Sequence, residues 1–316
     1  MNIILGSGII GLLAKLILGQ DWKIIPFYRS RYFSFNPALD DNFIIRDEKL
    51  DSFVNDMMGQ LNVPVYMYKR VWSINGQLVS QFDKELCHSW MYKIFGQELP
   101  SQSQVYFADR MNLFVYDIRI NQLYQNLCNQ YISELQIENS EGQVTEIGDH
   151  YLIRGGKRLD FDNAISTIPL DSLLKLIGVT HSLQAKTVHY LHVETENLDF
   201  EGANQMLVVD QLIDFFKVTN IAPNRYLFYC NNNIQNPGNY LMQFMRQFDI
   251  LDGTSIDGTI PIGLIPKIDI VEKNGVFCVG SSAQWDWCMD VSSCILRLLR
   301  YSQRGHKPFQ PTEIKF

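Results

Sequence analysis

The apolar and polar positions of this chain change period several times, and the changes mark its elements. Met1 to Leu5 is a short apolar run of strand type, Leu12 to Gly19 is a Leu-, Ile- and Ala-rich stretch that reads as a helix, and Lys23 to Tyr28 reads as a second strand. A helix is expected over Asp47 to Leu61, and residues 63–105 mix short strands with a helix at Lys84 to Phe95. Ile118 to Ile132 is helical in pattern, because Leu123, Leu127 and Tyr131 recur at a spacing of four. A meander of strands is predicted next, at Glu134 to Glu138, Val144 to Ile147, Tyr151 to Arg154 and Arg158 to Phe161. Ser140-Glu141-Gly142 and Gly155-Gly156 supply turns between them. Asn163 to Thr167 is a further strand, and Pro169 opens a helix over Leu170 to Ile177 that Gly178 ends.

The second half of the chain is dominated by strand periods. Thr187 to Glu194, Met206 to Asp210, Phe215 to Thr219 and Arg225 to Cys230 alternate in β fashion. Asn239 to Gln247 is expected to be helical, and Gly253 to Gly263 to be a loop with three glycines. Val276 to Val279 is a strand that runs into Gly280, a last helix covers about Asp290 to Tyr301, and the tail from Ser302 is polar.

The chemistry begins at the first turn. Gly6-Ser7-Gly8-Ile9-Ile10-Gly11 sits between a strand and a helix, the context that a dinucleotide fingerprint requires. Gly6 allows the tight turn, Gly8 lets a pyrophosphate approach the backbone, and Gly11 lets helix and strand pack closely. The free amide donors at the helix start then face the anion. An acidic residue is expected at the end of the second strand to hold the ribose hydroxyls, but the chain there reads Pro26-Phe27-Tyr28-Arg29-Ser30-Arg31. Arg29 and Arg31 either meet a phosphate or are solvated loop arginines.

Composition narrows the classes. The 316 residues suffice for one large or two modest domains, and 46% hydrophobic with 19% charged residues is globular usage. A net charge of −7 argues against a broad basic surface for nucleic acid. No apolar run is long enough to cross a bilayer, and three glycines cut the apolar start, so a cytoplasmic protein is expected. Six scattered cysteines, without a CxxC pair, suit reduced thiols rather than a zinc site, and His189 and His192 read as core or surface residues of a strand rather than metal ligands.

Three separated stretches share one pattern. They are the Gly6–Gly11 turn, Asp162-Asn163-Ala164-Ile165-Ser166-Thr167-Ile168-Pro169-Leu170, and Phe277-Cys278-Val279-Gly280 followed by Gln284-Trp285-Asp286-Trp287 and Met289-Asp290. In this order they resemble the FAD-dependent amine-oxidase superfamily, on the branch of protoporphyrinogen-oxidase-like proteins and UDP-galactopyranose mutases. A weaker likeness is Asp214-Phe215-Phe216-Lys217-Val218-Thr219, where the mutase-like branch carries Arg in place of Lys217.

The resemblance implies an α/β chain: a Rossmann-like FAD-binding domain and a second domain built on an antiparallel sheet with helices. The FAD-binding domain would be discontinuous, at 1–45, 110–170 and 265–301, with a substrate domain at 46–109 and 171–264 and a tail at 302–316. FAD would be the cofactor. Gly6, Ser7, Gly8, Ile9, Ile10 and Gly11 would hold its pyrophosphate, with Arg29 nearby, and Gly280 and Ser281 would sit at the pyrophosphate and ribityl chain. The amides of Met289 and Asp290 would point at the flavin pyrimidine. Trp285 would lie near the ring or the substrate cavity, or else in the core. Lys217 is the catalytic candidate, as a polar group over the flavin, or alternatively a surface lysine on an edge strand. The chain departs from the pattern in lacking both the acidic ribose ligand and the Gly-Gly-Arg/Lys turn after the second strand.

Three functions follow from the resemblance. The first is an oxidoreductase taking a hydride from a C–H next to an amine, on a small molecule or on a larger carrier. The second is a nucleotide-sugar mutase, for which Arg225 and Arg246 are available to the diphosphate. The third is a nucleotide-binding protein without catalysis.

Overall fold

The computed structural model describes residues 1–27, 39, 41–96, 111–181, 183, 185–196, 198–231, 253–263, 272–273, 275–280, 283 and 290–305. The expected helix at Asn239 to Gln247 lies outside them. A five-stranded sheet gathers β1 (Asn2–Leu5) and β2 (Trp22–Ile25), β9 (Asn163–Ser166), and β15 (Glu272–Lys273) and β16 (Val276–Cys278), in the order β15-β16-β9-β1-β2. β1 pairs in parallel with β2 and β9, and β9 with β16. The central strands are apolar on both faces, because both faces are covered.

Helices cover one face. They are α1 (Ile9–Leu18), α2 (Glu48–Met58), α4 (Ile120–Gln130) and α7 (Val291–Gln303). Leu12, Leu13, Val54, Leu123 and Ile295 close a core there with Ile4 and Ile165. The opposite face carries the three-stranded meander β6 (Val144–Gly148), β7 (Tyr151–Arg154) and β8 (Lys157–Asp160), together with α6 (Leu170–Leu176). Leu152 and Leu173 pack there against Ile3 and Leu5. α2 and most of α6 fall in segments expected in the substrate domain, yet their apolar residues belong to these two cores.

The strand expected at Glu134 to Glu138 is instead part of a helix, α5 (Ile132–Ser140). Helical spacing puts both carboxylates on one face, and ion pairs settle the period. Glu134 accepts from the Ile24 backbone N–H at 2.9 Å and lies 3.1 Å from the Lys15 ammonium. Glu138 pairs with Lys23 at 2.8 Å and with the buried Arg154 guanidinium. Leu135 is buried while Ile137 is exposed, which alternation along a strand cannot produce. α5 thereby covers the open edge of β2.

The second sheet has eight strands. β3 (Val65–Ile74), β4 (Gln77–Val79), β5 (Asn112–Tyr116), β10 (Ala185–Glu194), β11 (Gln205–Val208), β12 (Phe215–Ala222), β13 (Arg225–Asn231) and β14 (Gly253–Gly263) follow the order β14-β10-β13-β12-β11-β3-β4, with β5 beside β3. All pairs are antiparallel except β11 with β3. β14 corrects the loop expected at Gly253 to Gly263. Between the glycines, Thr254, Ile256, Thr259, Ile260 and Ile262 supply β-branched residues, and Pro261 is tolerated because β14 is an edge strand.

α3 (Lys84–Phe95) packs on one face of this sheet. Asp83 caps its start and Gly96, at φ +69°, ends it. Trp90 lies against Trp72 and Phe216 and donates its indole N–H to the Phe216 carbonyl at 2.6 Å. The other face holds Val71, Leu191, Phe215 and Phe228.

Lys93, near the end of α3, is buried and donates to the Asp210 and Phe215 carbonyls. Burial lowers its ammonium from 10.5 to about 8, against the opposing pull of Asp210 and Asp214. Between those values the unfolded chain keeps a proton that the folded chain releases, so stability rises with pH from about 8. Denaturant unfolding at pH 7.5, 8.5 and 9.5 should show a rise on the order of 1–3 kcal/mol. Lys93→Met should lower stability overall and flatten that slope.

Among the described residues no helix is long and apolar enough to cross a membrane, and no group of three or more His, Cys, Asp or Glu side chains could hold a metal ion. The five described cysteines are buried and unbridged, and burial pushes Cys87 up to about 11 and Cys278 up to about 12.

Candidate functional site

The first turn is shaped by backbone contacts that exclude side chains. Gly6 has φ +105° and donates its N–H to the Ile25 carbonyl at 2.9 Å. A Cβ on Gly6 would lie 2.5 Å from Thr167 Oγ1, and one on Gly11 would lie 2.1 Å from the Gly6 carbonyl oxygen. These two glycines bring α1 down onto the ends of β1 and β9. Gly8 differs from both. Its φ is −69°, and a Cβ there would meet nothing within 4 Å.

Gly8 is also the N-cap of α1. Among the described residues no side chain caps this helix, and its first turn, beginning with Ile9 and Ile10, has no acidic residue. Ser7 is buried beside it. The first amide donors of α1 therefore lie at the carboxyl end of the parallel strands, where ligands of open α/β sheets bind, with room on the Gly8 side. Donors so placed, beside space that any larger residue would fill, fit a pyrophosphate.

The C-terminal stretch joins the same sheet and then starts the last helix. Val279 N–H donates to the Ser166 carbonyl at 2.9 Å, and Gly280 follows at φ +125°. Asp290 is the N-cap of α7, which begins at Val291, and its carboxylate accepts from the Ser293 N–H at 2.6 Å. The Asp290 side chain thus takes up one of the first amides of α7. Arg29, Ser281, Trp285, Trp287, Met289 and Arg246 lie outside the described residues.

Lys217 is on β12, an interior strand, so it is not an edge lysine. Strand register places it in one of two neighbouring rows on the α3 side of the large sheet. Trp72, Leu207, Lys217, Tyr229 and Tyr190 form one row. Arg70, Gln205, Thr219, Leu227 and His192 form the next. The first row ends under α3 in an apolar core, while the second carries polar residues on either side of Leu227, of which Gln205, Thr219 and His192 are buried.

A single carboxylate organises this polar group. Asp41 makes an ion pair with Lys217 and accepts from Gln205 Nε2 at 3.3 Å. Gln205 Nε2 also donates to Thr219 Oγ1 at 3.0 Å. The Lys217 ammonium lies 3.8 Å from the centroid of the Tyr229 ring. Burial, then the Asp41 charge, push the Tyr229 phenol well above its ordinary range, so it stays a donor. The Arg70 guanidinium lies over the Phe43 and Tyr68 rings at 5.6 and 5.9 Å. Arg225, in contrast, is exposed at the end of β13 and faces Glu194 at 3.5 Å.

Sequence reasoning singled out Lys217 but not Asp41, Gln205, Thr219, Tyr229 and Arg70, which the structure places around it. One signal was present in the sequence. Lys217 and Thr219 occupy one face of a strand whose neighbours are apolar, as does Gln205, and buried polar residues at such positions need partners.

A central sheet, parallel but for its edge strand β15, covered by helices on one face and a meander on the other, with a glycine turn at its switch point and a large, mostly antiparallel sheet beside it, defines a Rossmann-type fold with an added antiparallel domain. Solved structures share it. Reduced UDP-galactopyranose mutase matches with a TM-score of 0.62 at 12% identity, over 96% of this chain and 93% of that one. An oxidoreductase from Methanosarcina mazei matches at 0.58 and 11%, over 96% and 99%. Cyclohexylamine oxidase from Brevibacterium oxydans matches at 0.58 and 9%, over 96% and 97%. No protein-family model and no curated protein matches the sequence. The chain shares its fold with these three proteins.

Proposed function

We propose that this chain is an FAD-dependent oxidoreductase whose five-stranded sheet holds the cofactor and whose eight-stranded sheet faces the substrate. The observation that carries the reading is the uncapped start of α1, set at the carboxyl ends of β1 and β9 with open space beside Gly8. FAD, when bound, supplies a two-electron acceptor for a hydride. The chain's own part is binding and placement. Gly6 and Gly11 fix the turn, the first amides of α1 hold the pyrophosphate, and the polar row presents charge toward the substrate side. The finer assignment is oxidation of a C–H next to an amine, on a small molecule or a carrier. It is supported by the fold shared with cyclohexylamine oxidase and by the exposed placement of Arg225, which does not suit a diphosphate clamp.

One observation favours the mutase reading: Arg70 stands in the second row, beside Gln205, where a guanidinium would meet a phosphate. The protein is expected to purify yellow, with noncovalent FAD released intact by acid or heat. A colourless protein that takes up no added FAD would overturn the flavin assignment. Peroxide release with a panel of amines then supports the oxidase, whereas ring isomerisation of a nucleotide sugar under reducing conditions supports the mutase.

A further inference from the structure

Asp41 is the one member of the polar cluster that comes from outside the large sheet. It lies between β2 and the bridge that joins Ile45 to Val115, and Ile45 N–H donates to Ser292 Oγ in the first turn of α7 at 2.6 Å. Its own side chain is 8% exposed, although it belongs to no regular element of the sheet that it enters. A carboxylate buried that far needs its lone pairs filled. One oxygen receives the Lys217 ammonium and the other the Gln205 amide, which is fixed in turn by its cross-strand neighbour Thr219.

A lysine ammonium is a compact charge on a flexible stem, with three donors and no preferred direction. Here it sits between the Asp41 carboxylate and the face of the Tyr229 ring. We propose that Asp41 is a positioning residue: it holds the Lys217 ammonium on the Tyr229 ring, so that the sheet presents a neutral ion pair instead of a free cation to the ligand side. The proposal rests on the flavin reading only for its effect on the cofactor. There a lone ammonium would favour the electron-rich reduced flavin and a lone carboxylate would disfavour it.

A double-mutant cycle tests this in the FAD-loaded protein. Asp41→Asn should raise the flavin midpoint potential, Lys217→Met should lower it, and the double variant should return close to the wild-type value. Shifts of one sign in both single variants, or none, would overturn the electrostatic unit; a merely loosened sheet gives no opposition of sign. A second readout needs no flavin. With lysine labelling read by mass spectrometry on the cofactor-free protein, Lys217 should react several-fold faster in Asp41→Asn than in wild type, and Asp41→Glu should restore most of the protection. Unchanged labelling of Lys217 in a folded Asp41→Asn protein overturns the positioning role. A wild-type protein that takes up no FAD overturns the flavin reading instead, while the labelling still decides what Asp41 does.

Discussion

Gly8→Val is expected to give a folded protein that retains no FAD. Its backbone sits at φ −69°, an ordinary value for a side-chain-bearing residue, and the new Cβ meets no atom of the described residues within 4 Å. The fold therefore loses only the difference between Gly and Val at an N-cap, about 1 kcal/mol. The same open space is where the pyrophosphate has to approach the backbone, so two γ-methyl groups there exclude it. Circular dichroism should match wild type while the visible flavin bands vanish. Gly11→Val should behave in the opposite way, because its Cβ would lie 2.1 Å from a backbone oxygen and the fold itself would fail. Flavin retained at wild-type level by a folded Gly8→Val protein would move the cofactor away from this turn.

The second large effect concerns stability. Glu138→Gln should cost about 3–5 kcal/mol in denaturant unfolding, because it leaves the Arg154 guanidinium buried beside a neutral amide. Arg154 is tied into the meander as well, donating to the Gly142 and Glu138 carbonyls, so it cannot swing to water without breaking the β6–β7 end. Arg154→Met should cost less, since Glu138 keeps Lys23 at 2.8 Å. A loss under about 1 kcal/mol in Glu138→Gln would show that solvent reaches this network.

The elements that could be read from the sequence are those whose pattern and punctuation agree. The first strand, turn and helix are set off by their glycines and the short helix after Pro169 by its flanking Pro and Gly, while the helix at Lys84–Phe95 is read without a clean period. The failures came where a long-range partner decides. Glu134 and Glu138 look like alternating strand positions until Lys15, Lys23 and Arg154 are brought to them by other elements. The Gly253–Gly263 stretch looks like a loop until the free side of β10 offers it a ladder. The site divided in the same way. The glycine turn is local and was legible, whereas Asp41 reaches Lys217 across 176 positions of sequence, a distance that no local pattern records.

The order of strands in the five-stranded sheet has a consequence for synthesis. β1 and β2 are the first strands made, but β1 needs β9 on its other side, and β9 needs β16. α7, the last helix described, covers the apolar face of α1. Roughly 250 residues separate β2 from β16, and at about 5–20 residues per second the ribosome spends on the order of ten to fifty seconds before the sheet can close. Throughout that interval Leu12 and Leu13 lack the helix that covers them in the finished fold. A chaperone that binds short apolar segments should therefore be found on nascent chains at the first helix, and should leave only once the C-terminal helix has emerged.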